Sequence, residues 1–126
     1  MYQEDEKIFY YITVMNENYP QPSMPEGTEE GIIKGMYRLT EAREKTDISL
    51  FGSGTILREV IAAAELLKED FDISADIWSV TSYTELSREA ADIQRWNTLH
   101  PDQEPKTSYV ENCLNEITVP IVSELR

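Results

Sequence analysis

Apolar positions along this chain fall into two regimes that meet in the charged stretch at residues 41–47. Ahead of it, Ile8, Phe9, Tyr10, Tyr11, Ile12, Thr13 and Val14 form a nearly unbroken aromatic and β-branched run. A run with so few polar breaks predicts a strand buried on both faces. Pro20, Pro22, Pro25 and Gly27 follow, and each proline fixes φ and removes an amide donor. Helix and central strand are both excluded there, leaving an ordered loop or linker. A short extended piece is predicted over residues 32–39.

Beyond the charged stretch, strand and helix patterns alternate. Ile48, Ser49, Leu50 and Phe51 suit a short strand and Gly52-Ser53-Gly54 a turn, while residues 55–71 place Leu57, Val60, Ile61, Ala64 and Leu67 at helical spacing. Ser53 or Thr55 is placed to cap that helix, and Lys68 complements the dipole at its end. Residues 75–83 alternate as a second strand. Ser82 and Glu85 have capping-box spacing, so a second helix is predicted to start at residues 82–84 and to run to about residue 99, where Pro101 stops it. A third helix over residues 108–115, with Tyr109, Val110, Cys113 and Leu114 on one side, leads to a last strand at residues 119–123.

Strands joined by helical crossovers are parallel neighbours. The pattern therefore predicts an α/β fold: a partial open parallel sheet with helical crossovers over residues 42–126, preceded by an extended N-terminal segment over residues 1–41. Such a sheet has two open edges and little to cover it, which predicts marginal stability for the chain by itself.

Charge and composition narrow the function. With 24 acidic against 11 basic residues the net charge is -13, which repels a phosphate backbone and argues against nucleic acid. Residues 1–30 hold seven acids (Glu4, Asp5, Glu6, Glu17, Glu26, Glu29, Glu30) against Lys7 alone, a distribution that suits a solubilising face. No stretch approaches the roughly 18 consecutive apolar residues of a membrane span, and the acidic start is unlike a signal peptide, so a cytoplasmic protein is expected. Cys113 is the single cysteine, without a disulfide or zinc partner, and reads as a small hydrophobe on a helix face.

Several residues are candidates for chemistry. Gly52-Ser53-Gly54 lies between strand and helix, where amides and the helix dipole hold phosphates, but neither the full dinucleotide fingerprint nor a P-loop is present, so a tight turn is the plainer reading. There the second glycine would allow close helix-to-strand packing. Asn16, Glu17, Asn18 and Tyr19 cluster after the first strand pattern, where open α/β sheets place ligands; a loop-capping cluster is the alternative. His100 precedes Pro101 at a helix end and has no sequence neighbour to poise it as an acid or base. Asp70, Asp72 and Asp76 lack the glycine and terminal glutamate of a calcium loop and read as solvated acids. Trp78 and Trp96 read as core.

Three blocks resemble one known family. They are Tyr10-Tyr11-Ile12-Thr13 with Asn16-Glu17-Asn18-Tyr19, Met24-Pro25-Glu26-Gly27 and Glu30-Gly31-Ile32; Gly52-Ser53-Gly54-Thr55-Ile56-Leu57-Arg58; and Trp78-Ser79-Val80-Thr81-Ser82-Tyr83-Thr84-Glu85-Leu86 with Arg95-Trp96-Asn97 and Leu99-His100-Pro101. In order and spacing they are similar to the thiamine-diphosphate-dependent decarboxylating component of the homodimeric type of pyruvate dehydrogenase. The resemblance implies that residues 1–41 end a middle, pyrimidine-binding domain with its Pro-rich linker. Residues 42–126 would then begin a C-terminal domain similar to that of transketolases.

It also implies a homodimer in which thiamine diphosphate and magnesium serve pyruvate decarboxylation, and in which the acetyl unit passes to a lipoyl group on the dihydrolipoyl acetyltransferase partner. Asn16, Glu17, Asn18 and Tyr19 become substrate-pocket candidates; no catalytic, cofactor or metal residue is carried over. Some relatives carry a histidine after this tyrosine, where this chain has Pro20-Gln21-Pro22, so that histidine's role does not transfer. The family's Gly-Asp-Gly motif for diphosphate and magnesium is absent from the sequence, as is its activating glutamate segment. The chain alone is thus expected to be inactive, mainly structural and dimer-forming. The competing readings are a stand-alone interaction or regulatory domain and a small phosphate-ligand binder using Gly52 to Gly54.

Overall fold

The computed structural model describes residues 7, 9, 11, 12, 14, 16–42 and 45–124. Parts of the expectations for the first strand (Ile8, Tyr10, Thr13) and the charged turn (Arg43, Glu44), with the acidic start at residues 1–6, lie outside them. Eight elements follow one another: α1 (Glu29–Lys34), β1 (Met36–Thr40), β2 (Ile48–Gly52), α2 (Ile56–Phe71), β3 (Ala75–Val80), α3 (Tyr83–Leu99), α4 (Tyr109–Asn115) and β4 (Ile121–Ser123).

The strands form one sheet in the order β1-β3-β2-β4. The expected three parallel strands are present, with β2 parallel to both β3 and β4. A fourth strand was not anticipated: β1 pairs antiparallel with β3, Met36 opposite Val80, so the open sheet is mixed rather than purely parallel. Because β1 occupies the outer edge of β3, the chain returning through α3 and α4 adds β4 on the far side of β2. The predicted extended piece at residues 32–39 is half helix. Gly35 ends α1 at φ 111°, which reverses the chain into β1, and a Cβ there would stand 2.8 Å from the Ser82 carbonyl oxygen.

Helices cover the two faces separately. On one face, α2 packs Leu57 and Val60 against Leu50 and Ile77; on the other, α3 and α4 cover Met36, Phe51, Trp78 and Val80, with Leu86 at the centre. Having cover on both sides explains why β3 is buried almost throughout and does not alternate as predicted. α3 begins as expected, with Ser82 Oγ accepting from the Glu85 amide, and Ser108 caps α4 in the same way through Glu111. α2 does not use either predicted cap: neither Ser53 nor Thr55 makes a side-chain cap bond, and Ile56, Leu57 and Arg58 donate to the carbonyls of Ser53, Gly54 and Thr55 instead.

The predicted buried strand at residues 8–14 does not form among the described residues. Phe9, Tyr11, Ile12 and Val14 lie in no strand and are 77–91% exposed, because no neighbouring strand or helix covers them. The described residues ahead of α1 contain no helix or strand, in keeping with an extended lead-in. No helix among the described residues is long and apolar enough to cross a membrane.

Candidate functional site

β2 feeds α2 on one face of the sheet, and its parallel neighbour β3 feeds α3 on the other. Ligand crevices of open α/β sheets open at such a divergence, beyond the carboxyl ends of the strands. Here the end of α1 lies across the carboxyl end of β3. The Ser82 amide donates to the Gly35 carbonyl (3.1 Å) and Thr81 Oγ1 to the Ile32 carbonyl (2.8 Å).

Gly52-Ser53-Gly54 behaves as the tight turn of the plainer reading, with the two glycines in exchanged roles. Gly52, the first, is the close-packing position: a Cβ there would lie 2.8 Å from Val60 Cγ2 and 3.0 Å from Leu57 Cα. Gly54, the second, has φ 56° and open space around it. The amides of Ile56, Leu57 and Arg58 at the start of α2 are engaged by the turn's own carbonyls, which takes them away from any phosphate.

The second candidate cluster comes to lie beside that turn. Tyr19 is half-buried, with its ring 4.7 Å from the Arg58 guanidinium of α2, and together with Pro20, Pro22, Gly54 and Leu57 it borders a cavity of about 400 Å³. Asn16, Glu17 and Asn18 are exposed. The fold therefore joins two segments that the sequence kept apart, through Tyr19 but not through the other three. The sequence names Arg58 only as the end of the Gly52 to Arg58 block. The available signal was a cation in a helix's first turn with Gly54, Thr55, Ile61 and Ala62 at the positions three and four away, none of them an acid.

The remaining candidates resolve as architecture. Asp76 is not a solvated acid: it is 7% exposed, and its Oδ1 accepts from the Ala42 amide (2.8 Å) and Thr46 Oγ1 (2.9 Å), tying the β1–β2 connection to the sheet. Asp72 ends α2 at φ 56° and pairs with Lys68. Trp78 is core, but Trp96 is only half-buried: it stacks on His100 (4.4 Å between ring centroids) and lies under the Lys106 ammonium (3.8 Å). His100 thus has a helix-terminal role, with Nδ1 2.8 Å from the Trp96 carbonyl. Asn97 completes this clip by exchanging two hydrogen bonds with the backbone of Lys106.

Cys113 sits beside Tyr109 under α1. Burial raises the thiol's pKa and, with the adjacent Cys113, pushes the Tyr109 phenol up to about 12. A thiol held protonated is a poor nucleophile, which suits the packing role expected of it. Among the described residues no three His, Cys, Asp or Glu side chains gather as metal ligands.

Comparison with known proteins adds two findings. Residues 35–124 match the transketolase-like TK C-terminal domain. Over 98% of its length the chain is 58% identical to a protein of Pseudomonas aeruginosa and 48% identical to one of Cupriavidus necator; over 90% it is 50% identical to one of Escherichia coli K12. Each of the three is named pyruvate dehydrogenase E1 component. The chain spans only 13–14% of the length of these relatives.

Proposed function

The chain belongs to the transketolase-like C-terminal domain family, and from that premise we propose that it is one segment of the decarboxylating component of a pyruvate dehydrogenase of the homodimeric type. The observation that carries this reading is 58% identity, sustained over nearly the whole chain, to a relative of that name. In this reading the complete protein decarboxylates pyruvate oxidatively and passes the acetyl unit to a lipoyl group of dihydrolipoyl acetyltransferase, working as a cytoplasmic homodimer. Thiamine diphosphate and magnesium are held by residues elsewhere in the longer polypeptide, and no chemical step is assigned to residues of this segment.

What the segment contributes is placement. The pairing of β1 with β3 and the family match from residue 35 both support a division between the preceding domain and this one ahead of β1, rather than between residues 41 and 42. Residues up to 34 then form the lead-in from the pyrimidine-binding domain. Asn16, Glu17, Asn18 and Tyr19 are proposed to line the substrate end of the pocket, a reading supported by the exposure of the first three beside an anchored fourth.

The test is to supply the native polypeptide with thiamine diphosphate and magnesium and to follow carbon dioxide release from pyruvate and acetyl transfer to a lipoyl domain. Activity is expected from the native polypeptide and none from residues 1–126 alone. Asn16→Ala and Asn18→Ala in the native polypeptide should lower kcat/KM about tenfold or more, the scale of one lost hydrogen bond to a charged group. Decarboxylation by the 126-residue chain, or indifference of the native polypeptide to pyruvate, would refute the assignment.

A further inference from the structure

Arg58 leaves the exposed side of α2 in a chain of net charge -13, where a guanidinium would ordinarily meet a carboxylate. Among the described residues it enters none of the ion pairs; its contact is the face of the Tyr19 ring. Delocalised, planar and weakly hydrated, a guanidinium suits such a face better than an ammonium does. Tyr19 is half-buried by the contact while Asn16, Glu17 and Asn18 stay in solvent, so the ring is the point at which this segment is fastened. Pro20 and Pro22 follow directly and restrict the chain on the other side. Fixing the ring between a helix and a stiff run fixes the direction in which residues 16–18 depart.

We propose that Arg58 is a positioning residue, which latches the Asn16 to Tyr19 segment onto the transketolase-like sheet by holding the Tyr19 ring. Its effect on catalysis rests on the reading that this segment borders the substrate pocket; the latch itself does not. An exposed cation over a half-buried ring is a modest interaction, so the segment is biased toward its docked position rather than locked there, and only the docked fraction binds substrate at full affinity.

The experiment uses the native polypeptide with Arg58→Met, Arg58→Lys, Tyr19→Leu and the double variant Arg58→Met/Tyr19→Leu. Methionine is a good helix former and the site is exposed, so α2 is retained. Amide hydrogen exchange in residues 16–21 is expected to quicken about two- to fivefold in Arg58→Met, to return most of the way in Arg58→Lys, and to be no faster in the double variant than in either single one. The KM for pyruvate should rise in inverse proportion to the docked fraction that remains, with kcat unchanged. Unaltered exchange in Arg58→Met, or effects of the two single changes that simply add, would overturn the latch. Faster exchange with an unmoved KM would uphold the latch and remove the segment from the substrate pocket.

Discussion

The Tyr109 hydroxyl donates to the Met36 carbonyl (2.9 Å) at the start of β1, and burial, with Cys113 next to it, disfavours the phenolate and pushes its pKa up to about 12. The native state therefore retains a proton that the unfolded chain, at an ordinary phenol pKa near ~10, gives up. This contribution to stability is fully present below about pH 10 and is lost as pH rises toward 12. Ultraviolet titration should show one phenol ionising late, and Tyr109→Phe should remove that step and flatten the stability loss across the same window. An early, ordinary titration of Tyr109 would contradict the burial argument. None of this was legible from the sequence, where Tyr109 was one of several residues on a helix face. Asp76 escaped for the same reason: its partners Ala42 and Thr46 are some thirty residues away and meet it only through the fold. Trp96 reads as core from its place on a helix, but its ring is only half-buried, with His100 stacked on it and the Lys106 ammonium over it.

α2, α3 and α4 were legible because their signals are local, whereas α1 ran into the predicted extended piece. Ser82 with Glu85 announced α3, and the hydrogen bond is formed. The turn before α2 was legible as a turn, but the division of labour between its glycines was not, since packing distance across a helix and a strand has no local signature. That division is testable. Gly52→Ala places a methyl group against Val60 and Leu57, both buried and unable to give way, and should destabilise the chain by about 1–3 kcal/mol. Gly54→Asn meets open space and a residue type that tolerates positive φ, and should cost less than about 0.5 kcal/mol. Urea midpoints read by Trp78 fluorescence would compare the two; a larger effect at residue 54 would reverse the assignment. Among the strands, β2, β3 and β4 were anticipated within a few residues, whereas β1 followed a glycine that the extended pattern ran straight through.

Taken whole, the chain buries a small core, in which Met36, Phe51, Trp78, Val80 and Leu86 lie on one side of the sheet and Leu50, Leu57, Val60 and Ile77 on the other. Against this stand Phe9, Tyr11, Ile12 and Val14, each more than three-quarters exposed, and β4, whose three residues are all exposed and pair with β2 alone among the described residues. The apolar run at residues 8–14 was read as a buried strand because its composition demands cover. The demand stands, but among the described residues nothing supplies it. Two forces then compete in the isolated chain: exposed apolar residues and an unpaired strand edge favour association, and a net charge of -13 opposes it. Salt shortens the reach of the charge to about 10 Å at 0.1 M and leaves the apolar surface attractive, so it shifts the balance one way only. Sedimentation velocity of residues 1–126 should accordingly show association that grows with protein concentration and with sodium chloride, alongside a broad, low thermal transition. In the native polypeptide, amides of β2 and β3 should exchange more slowly than in the isolated chain, since cover over the sheet suppresses local opening. A salt-independent monomer with a sharp, high melt would mean that this core suffices without further cover, and the exposed aromatic run would then need another explanation.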